Sequence, residues 1–406
     1  MPPAKTERRI WSWIGVALLL LVAAWLVGTI AADTDQYQWD FQMYYHAARA
    51  DAAGLNPYDP GTVWRLSGGR YQMRFVYPPL TLPFFRLWTN LPYETAFQLW
   101  LVFKLLLLGG LITIWKRYLF PREPTAPFLL ILLLAFSATV YIDLIAGNIS
   151  IIEQFLLWSA FLALLRKKPL LFCGGVLVAS LFKLTPIIFV FCLPFLPVRN
   201  RWVYVGGSLA AFAAFLGLGY ALDPVAYREF FAAAAAIDEG GSLGNPSLYS
   251  LVHEIAGGAG SLWKSFPVSV TSVVVYVLAA AAVVAATWRR IRRMPDRDSA
   301  EAATAIIFLA CLTYALIMPR FKTYSFILLL PPAYYILRRS AQIPAYGFLL
   351  ALLLLTVHPP LPVALPFRPV LTMLWAYYPL LLAILLWVLL LKQGEASEDA
   401  LRPTTP

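Results

Sequence analysis

The apolar residues of this chain neither alternate nor recur every three to four positions. They run on, in long blocks at roughly residues 10–31, 94–115, 127–143, 150–165, 169–182, 184–197, 202–221, 267–288, 302–318, 323–337, 343–357 and 370–391. About 20 apolar residues in a helix cross the hydrocarbon of a bilayer. In lipid each backbone N–H and C=O needs a partner inside the chain, so blocks of this kind predict membrane helices. A β-barrel would instead show strands of about ten residues with alternating polarity. The pattern therefore predicts an all-α polytopic membrane protein with about 12 transmembrane helices. The blocks 169–182 and 184–197 are short, and are expected to form a hairpin that just crosses, with Lys183 at its tip.

Composition agrees with the pattern. Hydrophobic residues make up 60% of the chain and charged residues only 13%, too few to cover a soluble domain of this size. The net charge of +11 is gathered in short gaps. These are Lys5/Arg8/Arg9, Lys116/Arg117/Arg122, Arg166/Lys167/Lys168, Arg199/Arg201, Arg289/Arg290/Arg292/Arg293/Arg297 and Arg338/Arg339. Short basic loops stay cytoplasmic. Twelve spans with both termini cytoplasmic put every cluster on one side. Scattered clusters of this kind argue against a nucleic-acid partner. The first block is too long for the apolar core of a signal peptide and is read as an uncleaved helix. Cys173, Cys192 and Cys311 fall inside apolar blocks, and His46, His253 and His358 share no metal-ligand spacing. One membrane domain, 1–392, and a short cytoplasmic tail, 393–406, are expected.

The same topology leaves two long outer loops, 32–93 and 222–266, carrying short interfacial helices. Candidate chemistry collects there and in the short outer gaps. Asp40 opens a helical stretch, Asp40-Phe41-Gln42-Met43-Tyr44-Tyr45-His46, in which it shares a face with Tyr44. It reads as a general base beside an aromatic wall, or as the N-cap of a short helix. Asn56-Pro57-Tyr58-Asp59 is a turn signature. Arg74, ahead of Val76-Tyr77-Pro78-Pro79, either meets an anion or snorkels. Lys183, between two half-spans, needs an anionic partner or caps a helix. Arg320 and Lys322, in Pro319-Arg320-Phe321-Lys322-Thr323-Tyr324, could hold a phosphate together or snorkel. Asn148, in the break Gly147-Asn148-Ile149-Ser150 flanked by Asp143 and Glu153, and Asn245, before Pro246-Ser247-Leu248, could bond sugar hydroxyls. Asp33-Thr34-Asp35 matches a D-x-D pattern by three residues only. Neither a G-x-G-x-x-G motif nor a P-loop occurs.

Taken in order, D-F-x-x-Y-Y-x-A-A, G-x-N-P-Y, F-x-Y-P-P, G-N-x-S, K-L-T-P, N-P-S-L and P-R-x-K-x-Y resemble glycosyltransferase family 87, over about residues 10 to 340. That family includes bacterial polyprenyl-phosphate-mannose-dependent mannosyltransferases. The resemblance implies a GT-C fold in the bacterial plasma membrane and an acidic catalytic residue in the first outer loop. Asp40 matches that position, with Asp33 and Asp35 as competitors. The implied reaction is an inverting, metal-independent transfer of a hexose, mannose foremost, from a polyprenyl-phosphate carrier to a lipid or polysaccharide hydroxyl on the extracytoplasmic face. No cofactor is expected. In that scheme Lys183, Arg320, Lys322 and Arg74 hold the donor phosphate. Tyr44, Tyr45, Tyr77, Asn148, Asn245 and Tyr324 line the sugar and acceptor pocket. A transporter or lipid flippase is the competing reading, although the two halves show no matching broken spans.

Overall fold

A computed structural model of the chain describes residues 5–70, 73–237, 245–259, 268–294, 299–356 and 373–392. The gap 358–369, the tail 393–406 and parts of the second long loop lie outside these residues. All regular structure among them is helical. Six helices are long and apolar enough to cross a membrane: Trp13–Ala32, Tyr93–Leu119, Thr125–Ala146, Arg201–Leu222, Val270–Arg292 and Ala300–Ile317. Five further apolar helices are shorter. Of the twelve blocks, 184–197 forms a 3-10 helix, Thr185–Phe195, with Pro194 inside it. The block 323–337 starts as a 3-10 helix, Thr323–Leu329, before it becomes α-helical.

The chain forms two compact units. The first comprises Met1–Leu129, Val140–Pro194 and Val198–Ile237. It opens with α1 (Lys5–Ala32). The first long loop follows, with α2 (Trp39–Ala52), α3 (Pro60–Leu66), a 3-10 turn at Pro79–Thr81 and α4 (Leu82–Thr89). Then come α5 (Tyr93–Ile114), α6 (Thr125–Ala146), α7 (Ser150–Leu165), α8 (Pro169–Phe182), α9 (Arg201–Leu222) and α10 (Pro224–Ala235). The second unit carries α11 (Leu248–Ala259), α12 (Val268–Arg292), α13 (Ala300–Ile317), α14 (Leu330–Ser340), α15 (Pro344–Leu354) and α16 (Tyr378–Lys392). Residues 130–139, inside α6, also belong to the second unit. Here the helix breaks: Phe136, Ser137 and Ala138 have φ of 52°, 60° and 59°.

Aromatic packing folds the first loop onto the spans. Phe41 of α2 stacks on Trp100 of α5 at 4.9 Å between ring centroids. Tyr44 stacks on Phe85 of α4 at 4.5 Å and meets Tyr77 edge-on at 5.0 Å. Such pairs add about 0.5–1.5 kcal/mol each beyond the area they bury. Polar ties fix the same loop. Gln98 donates to Ala31 O at 2.7 Å and Gln42 to Thr34 O at 3.1 Å. The turn at 56–59 is structural: Asn56 Oδ1 accepts from Tyr58 N–H, and Asp59 caps α3 through Gly61 and Thr62. The Thr62 hydroxyl, followed by the Gly61 amide, holds the Asp59 carboxyl below its usual range.

Candidate active site

The site begins with the way two helices end and one starts. α6 stops at Gly147, whose φ of 67° is the left-handed conformation that suits glycine. Gly147 N–H bonds Leu144 O at 3.2 Å, and Asn148 N–H bonds Asp143 O at 3.3 Å. This is the Schellman pattern, and it sets Asn148 just past the helix end. Next, Asn148 Oδ1 accepts from Ser150 N–H at 3.0 Å and from Ser150 Oγ at 2.8 Å, which leads the chain into α7. The amino group of Asn148 is thereby aimed away from α7.

That amino group meets α2. Asn148 Nδ2 donates to Asp40 Oδ2 at 2.6 Å and lies 3.1 Å from Tyr44 Oη and 3.2 Å from Tyr77 Oη. The two tyrosine hydroxyls are 2.8 Å apart. Asp40 is in the first turn of α2, but the N-cap is Gln38, with φ of 56°. The N-cap alternative for Asp40 is therefore replaced by a buried carboxylate, 4% exposed, held by an amide. Gln38 anchors the start of α2, its N–H donating to Ile145 O at 2.6 Å and its Nε2 to Phe97 O at 3.3 Å. Tyr58 donates to Tyr77 O at 2.9 Å, and burial pushes its phenol pKa up, so it remains a donor.

The network continues to a lysine. Lys183, at the C-terminal end of α8, donates to Ser150 Oγ at 2.9 Å and to Glu153 Oε2 at 2.6 Å. Its side chain is 23% exposed and that of Glu153 3%. Asp40, Asn148, Ser150 and Lys183 thus form one hydrogen-bonded line, with Tyr44 and Tyr77 beside its carboxylate end.

Beneath this line lies a pair absent from the sequence reading. Lys104 of α5 is 2.8 Å from Asp143 Oδ1, and both side chains are fully buried. Lys104 also donates to Asp143 O at 2.6 Å. The visible signal is a lysine inside an apolar block, Phe103-Lys104-Leu105.

Other candidates fall elsewhere. Tyr45 donates to Leu91 O at 2.8 Å and packs on His46 and Tyr93, outside the network. Arg74 is exposed. Asp33 caps the turn at Asp35 and Gln36, and Asp35 pairs with Arg70 at 2.8 Å on the surface. In the second unit, Asn245 is buried, accepting from Phe321 N–H at 2.9 Å and donating to Pro319 O at 3.2 Å. Ser247 donates to Pro319 O at 2.7 Å. The N-P-S-L and P-R-x-K-x-Y motifs are thus one structure: Asn245 and Ser247 shape the turn that presents Arg320, with Lys322 and Tyr324 just beyond it. Among the described residues, no three His, Cys, Asp or Glu side chains gather as metal ligands.

Apolar helices packed around a buried carboxylate, two phenols, an amide and a lysine describe a helical membrane protein with a buried polar cluster. A family model, glycosyltransferase family 87, matches residues 75–319, more than half of the chain. The chain belongs to glycosyltransferase family 87 and is a membrane glycosyltransferase. The matched segment includes Tyr77, Asn148, Lys183 and Asn245; Asp40 precedes it, and Arg320, Lys322 and Tyr324 follow it. No curated protein and no solved structure matches the chain.

Proposed function

We propose that this protein moves a hexose, mannose foremost, from a polyprenyl-phosphate carrier to a hydroxyl of a lipid or polysaccharide acceptor, outside the cytoplasm and with inversion. The observation that carries this reading is the single line from Asp40 through Asn148 and Ser150 to Lys183. A transfer of this kind needs a base for the acceptor proton and a cation for the departing phosphate. A carboxylate, Asp40, and an ammonium, Lys183 beside Glu153, lie in one network of the first unit, which supports this reading.

In the proposed step the acceptor oxygen attacks the anomeric carbon from the face opposite the phosphate. The C–O bond to the phosphate breaks as the new glycosidic bond forms. Asp40 takes the acceptor proton, and polyprenyl phosphate leaves with the bonding pair. Asn148 orients Asp40 by its bond to Oδ2. Tyr44 and Tyr77 offer hydroxyls beside it to the sugar or the acceptor. Lys183 meets the charge that develops on the phosphate, so the scheme uses no metal. For the second unit, Arg320 and Lys322 keep their reading as phosphate-binding cations.

The test is transfer of labelled hexose from a polyprenyl-phosphate donor to candidate acceptors by purified protein, with Asp40→Asn as the key variant. The amide can still accept from Asn148, so the fold is retained while the base is lost. A loss of roughly 10²–10⁴-fold is expected. A folded Asp40→Asn protein that transfers at the normal rate refutes the assignment. Flux of the lipid across proteoliposomes without any transfer would favour the transporter reading instead.

A further inference from the structure

The Lys104–Asp143 pair is the largest unexplained cost in the first unit. A charged side chain at the centre of a membrane helix costs about 2.5–3.5 kcal/mol or more, and two apolar residues of similar volume are often no worse than a buried ion pair. Both side chains are fully buried, in helices long enough to cross the membrane. Packing alone gives no reason for them.

The geometry supplies one. Lys104 has two contacts on the same residue, the carboxylate of Asp143 at 2.8 Å and its backbone carbonyl at 2.6 Å. That carbonyl is the one that accepts from Asn148 N–H at 3.3 Å. It is therefore the closing acceptor of the turn that points Asn148 at Asp40. The ammonium also sits at the C-terminal end of α6, where the helix dipole favours a cation. One turn further up, Trp100 of the same α5 donates to Gly147 O at 2.9 Å. α5 thus grips both sides of the Gly147 turn. Lys104 lies within electrostatic reach of Asp40, and Asp143 within reach of Lys183.

We infer that Lys104, locked by Asp143, is a positioning residue for the transfer step: it holds the α6 terminus so that Asn148 keeps Asp40 aimed at the acceptor. It touches neither substrate and acts only through Asn148 and Asp40. The Asp143 carboxylate neutralises it, and the Asp143 carbonyl accepts its hydrogen bond. The inference rests on the reading of Asp40 as the base.

The experiment is a double-mutant cycle on transfer by the full chain. Lys104→Met and Asp40→Asn are made singly and together, beside the charge-free pair Lys104→Met/Asp143→Leu. Lys104→Met is expected to lower kcat by roughly ten- to a hundredfold, as a misplaced reacting group does, with donor KM changed less than threefold. In the Asp40→Asn background it should cost less than about twofold, because the residue it positions is already disabled. Lys104→Arg should recover part of the rate. The charge-free pair should accumulate in the membrane and show the same kcat loss. Equal losses in both backgrounds, a folded charge-free pair of normal rate, or a pair that does not accumulate each overturn the role. An Asp40→Asn protein of normal rate refutes the base assignment itself, whatever Lys104→Met does.

Discussion

Asn148 is the residue on which the site turns. It donates to the Asp40 carboxylate at 2.6 Å, and any group that replaces this donor changes the charge balance at Asp40. Asn148→Asp would set two carboxylates face to face, where they cannot both ionise cheaply. Transfer should drop by at least about two orders of magnitude while the protein still accumulates, measured as kcat on purified protein. The adjacent tyrosines give a sharper contrast. Tyr44 belongs to the network, whereas Tyr45 donates to Leu91 O. Tyr44→Phe should therefore lower the transfer rate more than Tyr45→Phe does, and Tyr45→Phe should cost only about 1 kcal/mol of stability. Equal activity losses would remove Tyr44 from the site. The sequence pattern put Asp40, Tyr44, Asn148 and Lys183 among the candidates because polar groups in apolar context stand out, and the family resemblance added Tyr77. Helical spacing set Tyr44, and not Tyr45, on the Asp40 face, but the bond of Tyr45 to Leu91 O, 46 residues on, shows only in the tertiary packing. Lys104 carries the same signal, a lysine within Leu101-Val102-Phe103-Lys104-Leu105, but its partner Asp143 lies 39 residues away and is joined to it only in three dimensions.

At the scale of elements, the junction of α2 with the end of α6 decides whether the site exists. A Cβ on Gly147 would lie 2.8 Å from Gln38 Cβ, 3.0 Å from Gln38 Cα and 3.0 Å from Phe41 Cβ, and the φ of 67° disfavours any side chain. Gly147→Ala should cost about 2 kcal/mol or more, from the left-handed backbone and the overpacking together. It should lower the thermal midpoint in detergent and the transfer rate together. Gly28→Ala is the control, because nothing lies within 4 Å of a Cβ there and its backbone is ordinary helix, so stability should hold or rise slightly. A pH effect belongs to the same element. Burial, helped by the neighbouring Arg49 charge, brings the His46 pKa down to about 4. An unfolded histidine protonates near 6.5, so below that pH the unfolded chain binds the extra proton and the folded one does not. The His46 contribution is thus whole above about pH 6.5 and is lost as pH falls towards about 4. The midpoint of the His46→Gln protein should fall less between pH 7.5 and 5 than that of the unsubstituted chain; identical shifts would disprove the assignment. Helix existence was legible in the apolar blocks. The way the blocks wind was less so: the 3-10 stretches and the left-handed break at Phe136–Ala138 depend on local sterics that hydropathy does not record. The pairing of Asn245 with the Pro319–Phe321 turn spans more than 70 residues of sequence and shows only in three dimensions.

For the whole molecule, the proposed chemistry stands on which side of the membrane the site occupies, and connectivity makes that a charge question. In the first unit the C-terminal ends of α1, α6 and α8 and the N-terminal ends of α5 and α7 meet around Asp40, bound by the Gln98–Ala31, Gln38–Ile145 and Lys183–Ser150 contacts. The opposite ends carry Lys5, Arg8, Arg9, Lys116, Arg117, Arg122, Arg166, Lys167, Lys168, Arg199 and Arg201, opposed by Glu7 and Glu123. Loop 32–93, at the site end, is balanced, with Asp33, Asp35, Asp40, Asp51 and Asp59 against Arg49, Arg65, Arg70, Arg74 and Arg86. By the positive-inside rule the proposed function expects the basic end in the cytoplasm and the Asp40 end outside. The proposed polyprenyl-phosphate donor depends on that orientation. Single cysteines at two exposed positions test it, in a background where the buried Cys173, Cys192 and Cys311 are replaced by serine or alanine. Leu55→Cys, beyond α2, should react with a membrane-impermeant maleimide in intact cells. Lys167→Cys, between α7 and α8, should react only after the membrane is opened. The reverse pattern would put Asp40 in reach of cytoplasmic nucleotide sugars and remove the reason for a lipid-linked donor, while leaving membership of the family intact.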